Sequence, residues 1–75
     1  MIRKDHSSIQ KSFGENLQKI RNEKGLSLRA LAAKCDVDDS KISKIENGKF
    51  NITLATIIEL AKGLDIQPKA LMDFY

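Results

Sequence analysis

Cysteine occurs once in this 75-residue chain, at Cys35, and histidine once, at His6. That excludes an internal disulfide framework and a zinc cluster built from Cys and His ligands. Proline is present once and glycine four times, with no linker and no low-complexity tract. No apolar run approaches the ~18 residues of a membrane span. Met1–His6 lacks the apolar segment of a secretion signal. A free thiol without a signal points to a cytoplasmic protein. There is no nucleophile–base–orienter set, no paired-carboxylate motif and no Gly-rich phosphate loop. An enzyme is therefore not expected, and neither is a cofactor, metal or small-molecule ligand.

What is present suffices for one folded domain spanning 1–75. Apolar residues make up 41% of the chain and charged residues 31%, and Leu, Ile, Val and Phe together number 21. That is above the level at which a chain stays disordered. A chain this short builds a small core and commonly leans on disulfides, metal or a partner subunit. With the first two excluded, dimerisation is the support left. The net charge is +3. Residues 1–24 carry six cations against three anions, residues 25–50 five against four, and residues 51–75 two against three. An excess in the N-terminal half suits an anionic partner such as nucleic acid, although +3 is also ordinary solubility.

Helix punctuation recurs along the chain. Ser7-x-x-Gln10 reads as a capping box, followed by Ile9, Phe13, Leu17 and Ile20 at helical spacing. Gly25 then suits the left-handed position that ends a helix. From there an apolar residue, a cap and a second apolar residue repeat at fixed spacing: Leu26-Ser27…Leu31, Val37-Asp38…Ile42, Ile52-Thr53…Ile57 and Ile66-Gln67…Leu71. This is hydrophobic-staple spacing. Ser, Asp and Thr are good caps, and Pro68 favours a start after the poorer cap Gln67. The pattern predicts an all-α chain of five short helices. The predicted core comprises Phe13, Leu17, Ile20, Leu28, Leu31, Ala32, Val37, Ile42, Ile45, Leu54, Ile57, Ile58, Leu60, Ala61, Leu64 and Ile66, with Cys35 as a small filler rather than a redox sensor.

The second and third helices are expected at about 28–35 and from the Asp38 cap to about 47–48, joined by a three-residue turn. Two short helices so joined have helix-turn-helix geometry over 28–47. In that motif the second helix enters the DNA major groove. Inward-facing Ile42 and Ile45 would turn Ser40, Lys41, Ser43 and Lys44 outward. Lysine donates to guanine edges and serine bonds to most bases. The same surface also fits an ordinary solvated amphipathic helix.

Three stretches carry a resemblance: Gly25-Leu26-Ser27-Leu28-Arg29-Ala30-Leu31-Ala32, Ile42-Ser43-Lys44-Ile45-Glu46-Asn47-Gly48, and Thr53-Leu54 with Leu60-Ala61-Lys62-Gly63-Leu64-Asp65-Ile66. Over about 13–71 the chain resembles the lambda-repressor-like helix-turn-helix regulators, which include phage repressors, Xre-type regulators, restriction–modification controllers and some antitoxins. The resemblance implies a compact five-helix DNA-binding domain. It implies base contacts from Asp39, Ser40, Lys41, Ser43 and Lys44, and phosphate contacts from Ser27, Leu28, Arg29, Asn47, Lys49 and Asn51. It also implies a structural ion pair between Arg21 and Glu46.

The chain departs from that family in three places. Leu28 stands where glutamine is usual, which removes one contact to the DNA backbone. Asp36 replaces the turn glycine, and Asp tolerates the left-handed conformation expected there. Asp38 and Asp39 place negative charge at a helix start, where it is favoured; Asp39 also suits acceptance of a bond from a cytosine N4.

The tail residues Met72, Phe74 and Tyr75 exceed what a small core absorbs and are expected to form a homodimer interface, against the alternative that they fold back. The expected function is a sequence-specific double-stranded-DNA-binding transcriptional regulator, a homodimer on a near-palindromic operator and autoregulatory. An antitoxin binding a partner toxin is the alternative. A domain that keeps the fold but has lost DNA binding is a third reading, and the acidic cluster at Asp36, Asp38 and Asp39 is a candidate for RNA polymerase contact.

Overall fold

The computed structural model describes residues 7–74; His6 and Tyr75 lie outside them. Five helices follow one another: α1 (Ser7–Glu23), α2 (Leu28–Ala32), α3 (Asp39–Glu46), α4 (Leu54–Leu64) and α5 (Pro68–Leu71). No strand occurs among the described residues.

The helix starts follow the caps. The side chains of Ser27, Asp38 and Thr53 each accept a bond from the backbone N–H three residues on, at Ala30, Lys41 and Thr56. Gln67 makes no such bond, and Pro68 opens α5 in its place. The residue before each cap (Leu26, Val37, Ile52, Ile66) packs against the core, and so does its staple partner Leu31, Ile42, Ile57 or Leu71. Ser7 is itself helical, so it stands inside the first turn of α1 rather than before it.

Helix ends follow positive φ. Gly25 (φ +70°) and Gly48 (φ +71°) close α1 and α3. In each case the next residue's N–H reaches back to a carbonyl five residues earlier, Leu26 to Arg21 and Lys49 to Lys44, as a Schellman end requires. Asp65 (φ 58°) does the same for α4.

The core is Phe13 and Leu17 of α1, Leu31 of α2, Val37 of the turn, Ile42 and Ile45 of α3, Leu60, Ala61 and Leu64 of α4, and Leu71 of α5. Burying each large side chain contributes roughly 1.5–3 kcal/mol. Ile20, Leu28, Ala32, Cys35, Ile57 and Ile66 are half-buried against it.

Two expectations about the core and two about the turn are corrected. Leu54 and Ile58 are not core residues: they are 73% and 48% exposed. Helix α4 docks through Thr56, Leu60, Ala61, Gly63 and Leu64, which leaves those two, one turn apart, on its outer side. Helix α2 ends at Ala32, not near 35, so its connection to α3 occupies residues 33–38. The turn is held by tertiary contacts instead. The Asp36 N–H donates to Glu59 Oε1 of α4 at 3.0 Å. Cys35 lies so close to Gly63 that a Cβ there would stand 3.1 Å from that of Cys35. With the reversal spread over this longer path, Asp36 is not left-handed; Asp65 is the non-glycine residue with positive φ among those described.

Candidate nucleic-acid interface

Helix α3 is fixed against α1 at two levels. At Gly14 the helices touch through backbone: a Cβ there would overlap the Ile45 carbonyl oxygen and stand 2.7 Å from that of Glu46. Further along α1, Arg21 Nε donates to Glu46 Oε2 at 2.6 Å and Nη2 to Oε1 at 2.9 Å. The remaining Arg21 nitrogen, Nη1, donates to the Leu26 carbonyl at 2.8 Å. Both residues are buried. The bonds to Glu46 hold the guanidinium proton above its ordinary affinity, outweighing burial, which acts the other way. A bidentate pair with a third bond to backbone is directional, so it sets the rotation of α3 as well as its distance.

That rotation decides what α3 shows to solvent. Ile42, Ile45 and Glu46 point inward, while Ser40, Lys44 and Asn47 are exposed. Spaced i, i+4, i+7, these three form one stripe along the helix. Asn47 Nδ2 donates back to the Ser43 carbonyl at 2.8 Å, which orients its side chain.

Ionic residues on the two flanks have neighbours. On one side Asp39 Oδ2 lies 3.9 Å from Nε of Arg29 of α2. The Arg29 side chain is 90% exposed, so this pair adds little stability but does offset the charge of Asp39. On the other side the Lys41 ammonium sits over the Phe50 ring, 5.0 Å from its centroid. Lys41 is half-buried. Beyond α3, Lys49 and Asn51 are exposed on either side of Phe50. Ser27 spends its hydroxyl on capping α2, Leu28 is half-buried against the core, and Ser43 is half-buried on α3.

The structure therefore brings Arg29, Asp39, Ser40, Lys41, Lys44 and Asn47 onto or beside one exposed helix, with Lys49 and Asn51 in the loop that follows. Sequence reasoning missed Phe50 and Gly14. An apolar residue between the polar Lys49 and Asn51, and a glycine within an otherwise unbroken helical pattern, were the available signals. The tail splits: Phe74 closes on Phe13 of its own chain in an edge-to-face contact, centroids 6.1 Å apart. Met72 is 45% exposed, and Tyr75 lies outside the described residues.

Residues 17–71 match the helix-turn-helix family. This chain belongs to that family. Among its relatives in the family is the control protein C.BamHI of Bacillus amyloliquefaciens, 39% identical over 69 residues that span 91% of this chain and 85% of that protein. The fold is similar to that of the restriction-modification controller protein C.AhdI from Aeromonas hydrophila. That match has a TM-score of 0.86 and 39% identity, covering 89% of this chain and 97% of the other. A second controller, C.Esp1396I, solved as a tetramer in complex with its natural 35-base-pair operator, superposes with a TM-score of 0.80 at 29% identity, over 87% of this chain and 86% of that one. Among the described residues no helix is long and apolar enough to cross a membrane.

Proposed function

We propose that this protein is a controller-type transcriptional regulator that binds double-stranded DNA sequence-specifically, as a homodimer on a near-palindromic operator close to its own gene. The observation that carries the reading is the exposed Ser40–Lys44–Asn47 stripe on a helix whose rotation is fixed by Arg21–Glu46 and Gly14. A rigid helix with hydrogen-bonding side chains on one stripe suits the major groove. Ser40 and Lys44 face base edges in this reading. In the same reading the exposed Arg29, Lys49 and Asn51 take the phosphates of that duplex. Family membership and similarity to controllers, one of them solved on its operator, support it. The antitoxin alternative is set aside, because the relatives are control proteins and HTH-type transcriptional regulators.

The dimer surface is assigned to the outer side of α4 together with Met72. Leu54, Ile58 and Met72 are large, apolar and exposed, whereas Phe74 is occupied within its own chain. One recognition helix reads only a few base pairs; two read half-sites about one DNA turn, ~34 Å, apart. Selection of bound duplexes from a random library tests this. The expected product is an inverted repeat with that spacing, and enrichment of no common sequence would overturn the reading.

A further inference from the structure

We infer that Phe50 is a positioning residue that holds Lys41 as a phosphate anchor, so that Lys41 does not read bases and discrimination falls to Ser40 and Lys44. This rests on the regulator reading above. Lys41 follows Ser40 by one residue, which turns it about 100° around α3 from the Ser40–Lys44–Asn47 stripe. An unrestrained lysine of that length could swing back toward the stripe. Phe50 disfavours it, because the ammonium sits 5.0 Å from the ring centroid and the attraction of a cation to an aromatic face favours that position. The ring is itself anchored: it is half-buried against the core and lines a cleft of about 350 Å³ with Ile9, Phe13 and Ile52.

The sequence neighbours of Phe50 decide what the held ammonium faces. Lys49 and Asn51 are both exposed. Lys41 is thus drawn off the helix stripe toward the loop that carries two more polar side chains, a grouping that suits an oxyanion of the DNA backbone. Lysine serves such a site as a point charge with three donors, and the ring occupies only one side of it. Lys44 springs from the stripe itself and is exposed there, free to reach a base edge.

The test is a salt series of binding to the selected operator and to its single-base variants, with Lys41→Met, Phe50→Leu, Phe50→Tyr, the Lys41→Met/Phe50→Leu double variant and Lys44→Met. Lys41→Met is expected to weaken every duplex alike, by about 8-fold at 0.1 M salt, and to lower the salt slope by about 0.9, the release of one counterion. Phe50→Leu is expected to weaken binding about two- to five-fold, Phe50→Tyr to restore it, and the double variant to bind no more weakly than Lys41→Met. A ring that merely supports the fold would cost the same on both backgrounds, and that result overturns the inference. So does selective loss of discrimination at one base pair in Lys41→Met. Lys44→Met is expected to lose discrimination. If the unsubstituted protein shows no sequence preference, the regulator reading itself fails, an outcome distinct from both.

Discussion

Arg21 of α1 and Glu46 of α3 meet as a two-bond ion pair inside the protein, with the third guanidinium nitrogen on the Leu26 carbonyl. Their side chains are 10% and 4% exposed. Removing one partner leaves a buried charge uncompensated, which costs roughly 3–5 kcal/mol. Glu46→Ala is therefore expected to lower the unfolding free energy by that order in denaturant titration. Arg21→Leu/Glu46→Leu is expected to recover much of the loss, since well-packed apolar replacements of a buried pair are often near neutral. DNA discrimination is expected to recover less than stability, because the directional restraint on the rotation of α3 is gone and the close approach at Gly14 alone remains. A double variant that regains both would show the pair to be dispensable for orientation.

Gly14→Ala offers a test of sign. In an ordinary exposed helix the change stabilises by about 1 kcal/mol through propensity. Here the added Cβ meets two backbone carbonyls of α3, and backbone cannot rotate away. The expected outcome is a loss of roughly 1–3 kcal/mol, as for overpacking, read as a lowered melting temperature.

The helix starts were legible because caps and staples act over four or five residues: Ser27, Asp38 and Thr53 were named from sequence and cap their helices through their side chains. Leu54 and Ile58 were not separable from Ile57 and Leu60, because α4 carries apolar residues on more than one side and periodicity alone does not say which side docks. The end of α2 was misjudged for a related reason. Glu59 and Gly63 of α4 hold the chain at Asp36 and Cys35, and such distant contacts leave no local mark. The Lys41–Phe50 and Arg29–Asp39 contacts were hidden likewise, since each joins two elements of the chain.

Leu54 and Ile58 separate association from folding. Leu54→Lys/Ile58→Lys removes exposed apolar surface and should shift monomer stability by no more than about 0.5 kcal/mol per site. Sedimentation equilibrium is expected to show dimerisation weakened on the order of tenfold or more. Leu71→Ala, at a fully buried position, should instead cost roughly 2–5 kcal/mol in stability. Unchanged association of the lysine variant would remove α4 from the interface.

Burial raises the Cys35 thiol above its ordinary value of 9.0; the Val37 backbone N–H opposes this, and the negative charges of Glu59 and Asp36 add to it. The folded state thus holds the proton more tightly than the unfolded chain. That contribution is whole below about pH 9 and is lost as pH rises through the folded value. Stability is expected to fall as pH rises above about 9, and Cys35→Ala should lack that part of the fall. At pH 8 the native thiol should react with a disulfide reagent more slowly than the unfolded chain does.

Sequence-specific binding through α3 is measured by fluorescence anisotropy of the protein on duplex DNA from upstream of its own gene and on a scrambled duplex, across a salt series, with Lys44→Ala beside it. The prediction is binding at least about 10³-fold tighter to the first duplex, a steep salt slope, and loss of roughly 1–3 kcal/mol of discrimination in Lys44→Ala. Equal, weak binding to both duplexes at every salt concentration, unchanged by Lys44→Ala, would contradict it.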